Sequence, residues 1–162
     1  LDLDVVIVNN IDSFFSFSDK LTMPENWSKP GRLIGQGSVI CYSMGQYPEL
    51  LERWQTDQAS VYDNYRTEQV YLTQALGKGN FDWFPKAWCQ SFKEHCMPGG
   101  VLNSFMTPTK EKIPKGAKII IFHGNPNPHE AIAGVWGGKP VPWYKKWYKT
   151  IKPTEWIKEY WW

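Results

Sequence analysis

The residues best suited to chemistry are two acids at the start of the chain, Asp2 and Asp4. They lead into residues 5–8, an apolar run of β-branched side chains that predicts a strand buried on both faces. Side chains two apart on a strand point to the same face, so these acids can converge on one cation. The alternative is a pair of solvated acids at a strand end, because so short a pattern recurs by chance.

A second candidate follows the clearest short strand that the sequence predicts, residues 117–122. His123 comes directly after it and is followed by Gly124 and a stiff Pro-x-Pro turn, which places the imidazole well to reach into a site. Two carboxylates and one imidazole form a mixed oxygen and nitrogen ligand set, which suits Mn²⁺ better than a cation that prefers oxygen alone. A hydrogen-bonded structural histidine is the alternative interpretation.

Further segments supply the framework around these residues. Residues 33–42 predict a second strand, whereas residues 18–33, with prolines among polar side chains, predict a loop or insertion. Pro48 begins a helix with apolar residues at helical spacing. Another helix begins after Thr67, a suitable N-cap, and ends at Gly77.

Composition limits the class of protein. The chain has 162 residues, 42% of them hydrophobic, which predicts one domain over residues 1–162. A net charge of +2 gives no field that favours nucleic acid, and no apolar run approaches the roughly 20 residues of a membrane span. Three cysteines without a C-x-x-C pair favour a reducing, cytoplasmic setting. Because domains rarely begin with a central strand, we expect the C-terminal portion of a longer protein.

The last part of the chain is rich in tryptophan. Six of the ten tryptophans lie between Trp136 and Trp162, interleaved with lysines. Rings that close the core are the favoured interpretation, since aromatic side chains contribute much buried area. A surface that stacks on sugars and a surface that binds single-stranded nucleic acid are the alternatives.

Three segments of the sequence together resemble a known family. They are L-D-L-D-V-V-I at residues 1–7, S-F-K-E-H at residues 91–95 and F-H-G-N-P-N-P-H-E at residues 122–130, the last being the most specific. The sequence resembles the retaining glycosyltransferases of the glycogenin and lipooligosaccharide galactosyltransferase type, over the whole chain with gaps. The resemblance implies an α/β fold, an incomplete GT-A fold (a Rossmann-like nucleotide-diphospho-sugar transferase) that begins at the strand of the acidic triplet.

The missing portion would carry the base and ribose pocket. Its absence would expose a sheet edge and invite self-association. A chain cut at this point is expected to bind metal poorly and to turn over no substrate by itself.

The resemblance also implies the composition of the site. Asp2, Asp4 and His123 would hold Mn²⁺ (or Mg²⁺), which bridges the diphosphate of a sugar nucleotide and neutralises charge on the leaving group. Gly124 would let the backbone approach the phosphates.

The chain departs from the family at three places. Glu68 and Gln69 stand where the family has an Asp-Gln pair beside the donor sugar, and either would stabilise the oxocarbenium-like state. An acid in the first turn of a helix is also favoured by the helix dipole. Gln36 replaces a family Asn that contacts the donor. Asn127 stands where the family usually has a lysine, so either another cation, such as Lys93 or Lys139, holds the diphosphate or the activity is weakened.

The predicted function is metal-dependent transfer of a hexose from a nucleotide-diphosphate sugar, with retention, to a carbohydrate or lipid-linked acceptor. Trp136, Trp143 and His129 are the candidates for contact with the acceptor. The first alternative is a non-catalytic carbohydrate-binding module that uses the tryptophans. A metal-dependent phosphodiester hydrolase is less favoured, because that class normally needs more ligands than three histidines comfortably supply. A nucleic-acid binder is disfavoured by the nearly neutral charge.

Overall fold

A computed structural model describes residues 1–97, 108–138, 140, 142–146 and 150–161 of the chain. It confirms the mixed α/β class, with small sheets and several helices. The chain divides into two compact units, Leu1–Asp2 with Asp12–Lys86 and Leu3–Ile11 with Ala87–Trp162. The GT-A arrangement and the single domain stay predictions.

The second unit is built on a three-stranded mixed sheet. Its strands are β1 (Val5–Ile7), β4 (Cys89–Ser91) and β5 (Ile119–Ile121), in the order β1-β5-β4. β5 pairs antiparallel with β1 and parallel with β4. Each of its three isoleucines is fully buried, as expected for a β-branched run covered on both faces. The strand predicted at residues 117–122 is confirmed at its centre.

The strand directions bring three chain segments to one side of this sheet, where strands begin and end. This side is called the edge of the sheet below. β4 and β5 are parallel, so both of their carboxyl ends lie there, and β1 is antiparallel, so its amino end lies there too. The Phe122 N–H donates to the Asp4 carbonyl at 3.0 Å, which fixes the start of β1 beside the end of β5.

The acidic triplet was expected on the first strand, and this prediction is wrong. β1 begins at Val5, after the triplet, and Leu3 is 96% exposed. Ile7 is 39% exposed, so the strand is not buried on both faces along its length. Among the described residues β1 has one strand partner, β5, so it lies at the margin of the sheet and not at its centre. Self-association through a sheet edge stays a prediction.

The core of the second unit lies against this sheet. Phe92 and Phe122 stack at 4.4 Å between ring centroids, and Trp156 contacts Phe92. Trp136 and Trp161 pack partly buried against the same cluster. The core-closing interpretation is therefore confirmed for these three tryptophans, whereas Trp143 is 84% exposed. Trp147 and Trp162 lie outside the described residues.

The first unit contains a two-stranded sheet and most of the helices. β2 (Leu21–Met23) and β3 (Phe81–Trp83) are parallel. The helices are α1 (Asp12–Phe15), α2 (Pro48–Thr56), α3 (Gln58–Asn64) and α4 (Glu68–Leu76), and the second unit adds α5 (Pro128–Ala133). The predictions for α2 and α4 are confirmed, including Thr67 as N-cap and Gly77 as C-cap. Among the described residues, no helix has the length and apolar character that crossing a bilayer requires.

Two predictions for the first unit are wrong. Residues 33–42 form no strand and make only isolated bridges, Thr22 with Cys41 and Glu25 with Gly35. The Met23 side chain fills the space beside Gly35, where a Cβ would lie 1.7 Å from the Met23 sulfur. Residues 18–33 are not a continuous loop, because β2 lies within them.

The central position of β5 can be tested by substitution. Ile120→Ala should lower the free energy of unfolding by about 2–5 kcal/mol, because it deletes buried methylenes from a fully buried strand. Ile7→Ala, on the partly exposed neighbour, should cost less than about 1 kcal/mol. Urea unfolding followed by tryptophan fluorescence measures both, and equal losses would contradict the placement.

Candidate functional site

Polar side chains gather where β4 and β5 end. Ser91 is the last residue of β4, Lys93 lies in the π-helical turn Phe92–Cys96 that follows, and His123 comes two residues after β5. Asp4 directly precedes β1 at the same edge. Asp4, Ser91, Lys93 and His123 are called the polar edge below. Carboxyl ends of parallel strands are a usual place for ligand sites in α/β sheets.

Ser91 is the centre of the hydrogen bonding at the polar edge. Its hydroxyl oxygen lies 2.7 Å from His123 Nε2 and accepts the Glu94 N–H at 3.2 Å. Its backbone N–H donates to His95 Nδ1 at 2.9 Å. The sequence analysis did not single out Ser91, although the S-F-K-E-H segment that contains it was a signal.

His123 is half-buried beside a cation. Burial lowers the pKa of its imidazole below the ordinary value, and the charge of Lys93 lowers that pKa further. The Lys93 Nζ atom lies 3.4 Å from the position that a Cβ would take at Gly124. Gly124 has a φ of +66°, so both its backbone conformation and the space beside Lys93 favour glycine.

The three predicted metal ligands are placed differently. Asp4 is half-buried with its Oδ1 atom buried, and it shares the polar edge with His123. Asp2 is exposed and falls in the first unit, where its N–H donates to the Ser38 carbonyl at 3.0 Å. Within the described ranges, no group of three or more His, Cys, Asp or Glu side chains could hold a metal ion. Asp4 and His123 are one oxygen and one nitrogen donor at the same edge, and the three predicted ligands do not form a ligand group within the described residues.

In the first unit, the predicted catalytic residue Gln69 binds the loop that contains the predicted donor-binding residue Gln36. Gln69 Oε1 accepts the Gly37 N–H at 3.0 Å, and the neighbouring Gln36 donates from Nε2 to Ser38 Oγ at 3.3 Å. α4 and the loop of residues 36–38 are thereby joined through the Gln69 amide.

Glu68 does not join this cluster. Consecutive residues of a helix point about 100° apart, as 3.6 residues per turn require. Glu68 instead lines an apolar groove of about 610 Å³ with Trp54 and Tyr71. Of the predicted catalytic pair, Gln69 is bonded to Gly37, the residue after Gln36, and Glu68 lies on another face of α4.

Asn127, which stands where the family usually has a lysine, has a structural role here. Its N–H donates to the Glu130 carboxylate at 2.7 Å, and its side chain accepts from the Glu130 backbone, forming a capping box at the start of α5. Lys93, in the π-helical turn after β4, is a basic residue at the polar edge, with its Nζ atom beside Gly124. Lys139, the other candidate, lies outside the described residues.

Comparison with known proteins adds no assignment. The chain matches no protein-family model, and no curated protein or solved structure is significantly similar to it. The glycosyltransferase resemblance stays a prediction, and function has to be argued from the polar edge.

The electrostatics of His123 can be measured directly. Its imidazole should titrate below the ordinary pKa of 6.5, and Lys93→Gln should raise that pKa because a neighbouring positive charge is lost. Because the pKa of His123 is lower in the folded chain than in the unfolded chain, the unfolded chain binds the proton more tightly. The folded state should therefore lose stability as the pH falls below the pKa of His123 in the unfolded chain.

The measurement is an NMR titration of the His123 Cε1–H signal. Lys115→Gln, at an exposed lysine in the same unit, is the matched control and should leave the His123 pKa unchanged. A wild-type pKa at or above 6.5 would contradict this account.

Proposed function

We propose that the chain is part of a metal-dependent glycosyltransferase that moves a hexose from a nucleotide-diphosphate sugar with retention. The observation that supports it is the polar edge, where Asp4 precedes β1 and His123 follows β5 at the same edge of the sheet, with the Lys93 ammonium beside Gly124. A diphosphate needs both a divalent cation and further positive charge. Asp4 and His123 are candidate ligands for the cation, and Lys93 is a source of the further charge.

Each residue of the polar edge has a distinct task in this proposal. Asp4 and His123 would hold Mn²⁺ (or Mg²⁺), and the cation would supply Lewis acidity toward the leaving diphosphate. Lys93 binds the phosphate oxygens as a point charge, and Gly124 leaves room for them. Asp2 is the third ligand by the sequence resemblance alone.

The residues of the first unit receive their tasks from the resemblance. Gln69 stabilises positive charge at the anomeric carbon, and its hydrogen bond from Gly37 holds the amide in one orientation. Gln36 contacts the donor, and Glu68 is the alternative to Gln69. Attack on the same face of the sugar gives retention without the covalent intermediate that retaining glycosidases form between two carboxylates.

A second candidate function is favoured by the exposed tail. Trp143 is 84% exposed and Tyr144 is 53% exposed, with the two rings in an edge-on contact at 6.1 Å. Rings so exposed are available to stack on a sugar, either as a carbohydrate-binding module or as the acceptor side of the transferase. Trp136 packs against the core and His129 stacks on Trp161 at 6.3 Å, so Trp143 is the better acceptor candidate.

The proposed transferase also includes a carbohydrate or lipid-linked acceptor and a cytoplasmic location.

Loss of either donor should weaken the metal site. Asp4→Asn and His123→Ala should each lower Mn²⁺ affinity by more than roughly tenfold, because each removes a ligand atom. Tenfold is about the smallest loss seen when only the hydrogen-bond partner of a metal ligand is removed. Calorimetric titration with Mn²⁺ measures this. Asp63→Asn, at an exposed acid of α3, is the control and should bind like the wild type. Unchanged affinity in both site variants would refute the metal assignment.

The two candidate functions differ in their response to substitution. The carbohydrate-binding module requires oligosaccharide binding without metal, lost in Trp143→Ala and unaffected in Asp4→Asn. The transferase requires Mn²⁺-dependent binding of the sugar nucleotide, lost in Asp4→Asn and kept in Trp143→Ala. Titrations of both variants with a sugar nucleotide and with an oligosaccharide, each with and without Mn²⁺, separate the two.

A further inference from the structure

The apolar groove of the first unit has the size of a small-molecule site. Its volume is about 610 Å³, and ligand pockets in proteins run from roughly 300 to 1,000 Å³. α2, α4 and the loop that leads into α2 supply most of its lining. Aromatic rings bury a large apolar area, and the groove has four of them: Tyr42, Tyr47, Trp54 and Tyr71. The groove therefore suits a ligand with an apolar or aromatic body.

Hydrogen bonds hold two of these rings in place. The Tyr71 hydroxyl donates to the Leu50 carbonyl at 2.6 Å, which joins α4 to α2. The Tyr47 hydroxyl accepts the Leu21 N–H at 2.8 Å, which joins the start of α2 to β2. A wall that is already fixed costs a ligand less ordering entropy on binding. The groove is thus preformed on these two sides.

Glu68 gives the groove its charge. It is the only charged side chain among the described residues that line the groove, and its carboxylate makes no hydrogen bond or ion pair within the described part of the chain. Arg53, the one cation of α2, lies over the Tyr65 ring at 5.5 Å from the centroid and does not line the groove. The faces of Tyr and Trp rings also attract positive charge. The carboxylate and the rings therefore favour a cationic ligand together.

We propose that this groove binds a small organic amine, whose apolar body packs among the rings and whose ammonium group meets Glu68. A ligand of the same shape that ends in a carboxylate is disfavoured, because Glu68 repels it. The amine site uses neither a metal ion nor a residue of the polar edge. It therefore stands or fails independently of the proposed glycosyl transfer.

Three ligands of one shape test the preference for positive charge. Tryptamine, tryptophol and indolepropionate share an indolylethyl body and end in an ammonium, a hydroxyl and a carboxylate. Titration of the ¹⁵N-labelled chain with each, followed by ¹H–¹⁵N spectra at low salt to limit screening, gives three affinities. We expect tryptamine to bind most tightly and indolepropionate most weakly. Equal affinities, or tightest binding of indolepropionate, overturn the proposal without any variant having to fold.

The same spectra report where the amine binds. The indole N–H signal of Trp54, identified with Trp54→Phe, should shift as tryptamine is added. Trp143 is 84% exposed in the second unit, and its indole signal should stay in place. Equal shifts of both signals mean non-specific stacking and overturn the proposal. A Trp54 signal that moves with protein concentration before any ligand is added makes the groove a contact between copies of this chain, which also overturns it.

Substitution of Glu68 separates recognition from a structural role. Glu68→Gln should weaken tryptamine binding about two- to fivefold, as loss of an exposed ion pair would, and leave tryptophol binding unchanged. An acid in the first turn of α4 is also favoured by the helix dipole, but loss of that effect would weaken both ligands alike.

Glu52→Gln is the matched control, since it removes the same charge from an exposed position of α2 outside the groove. This variant should bind all three ligands like the wild type. Equal losses of tryptamine and tryptophol affinity in Glu68→Gln overturn the proposal. A loss of tryptamine affinity in Glu52→Gln as large as that in Glu68→Gln overturns it as well.

Discussion

The hydrogen bonding of β5 on both of its sides is the constraint on which the second unit depends. Its three isoleucines are fully buried, and its backbone pairs antiparallel with β1 and parallel with β4. Those directions place the start of β1 and the ends of β4 and β5 at one edge of the sheet. Asp4, Ser91 and His123 share that edge because of strand direction, although they are far apart in sequence.

At this edge, burial and charge act together. His123 is half-buried near Lys93, and both effects favour a neutral imidazole, which is the form that can donate a lone pair to a metal. Gly124 leaves space for the Lys93 ammonium, while the neutral side chain of Asn127 caps α5. In the proposed function, the positive charge for a diphosphate comes from Lys93 in the turn after β4, and the hydrogen bonds of Ser91 join that turn to His123.

The sequence predicted the features that have local causes. An isoleucine run predicted β5, and Thr67 with Gly77 predicted the ends of α4, because β-branched content and helix caps act over a few residues. The failures have tertiary causes. Residues 33–42 make only isolated bridges, and the Met23 side chain that packs beside Gly35 comes from β2, a contact that no local pattern encodes.

The sequence predicted some residues of the candidate site and missed others. Asp4 and His123 were found from residue type and position beside strands, and the structure places them at one edge. Ser91 was missed because a buried serine carries no signal until its neighbours are known. Trp156 and Trp143 look alike in sequence, yet one is buried and the other exposed, because burial depends on what each meets in the fold.

The central claim is that a metal–diphosphate complex binds at the polar edge through His123. Pulsed electron paramagnetic resonance of the chain with Mn²⁺ and inorganic pyrophosphate tests it most directly, because couplings to ³¹P and to a histidine nitrogen report both partners of the same ion. The account predicts both couplings in the wild type, with the nitrogen coupling lost in His123→Gln. A Mn²⁺ signal with phosphorus coupling alone, or a nitrogen coupling that survives His123→Gln, would contradict it.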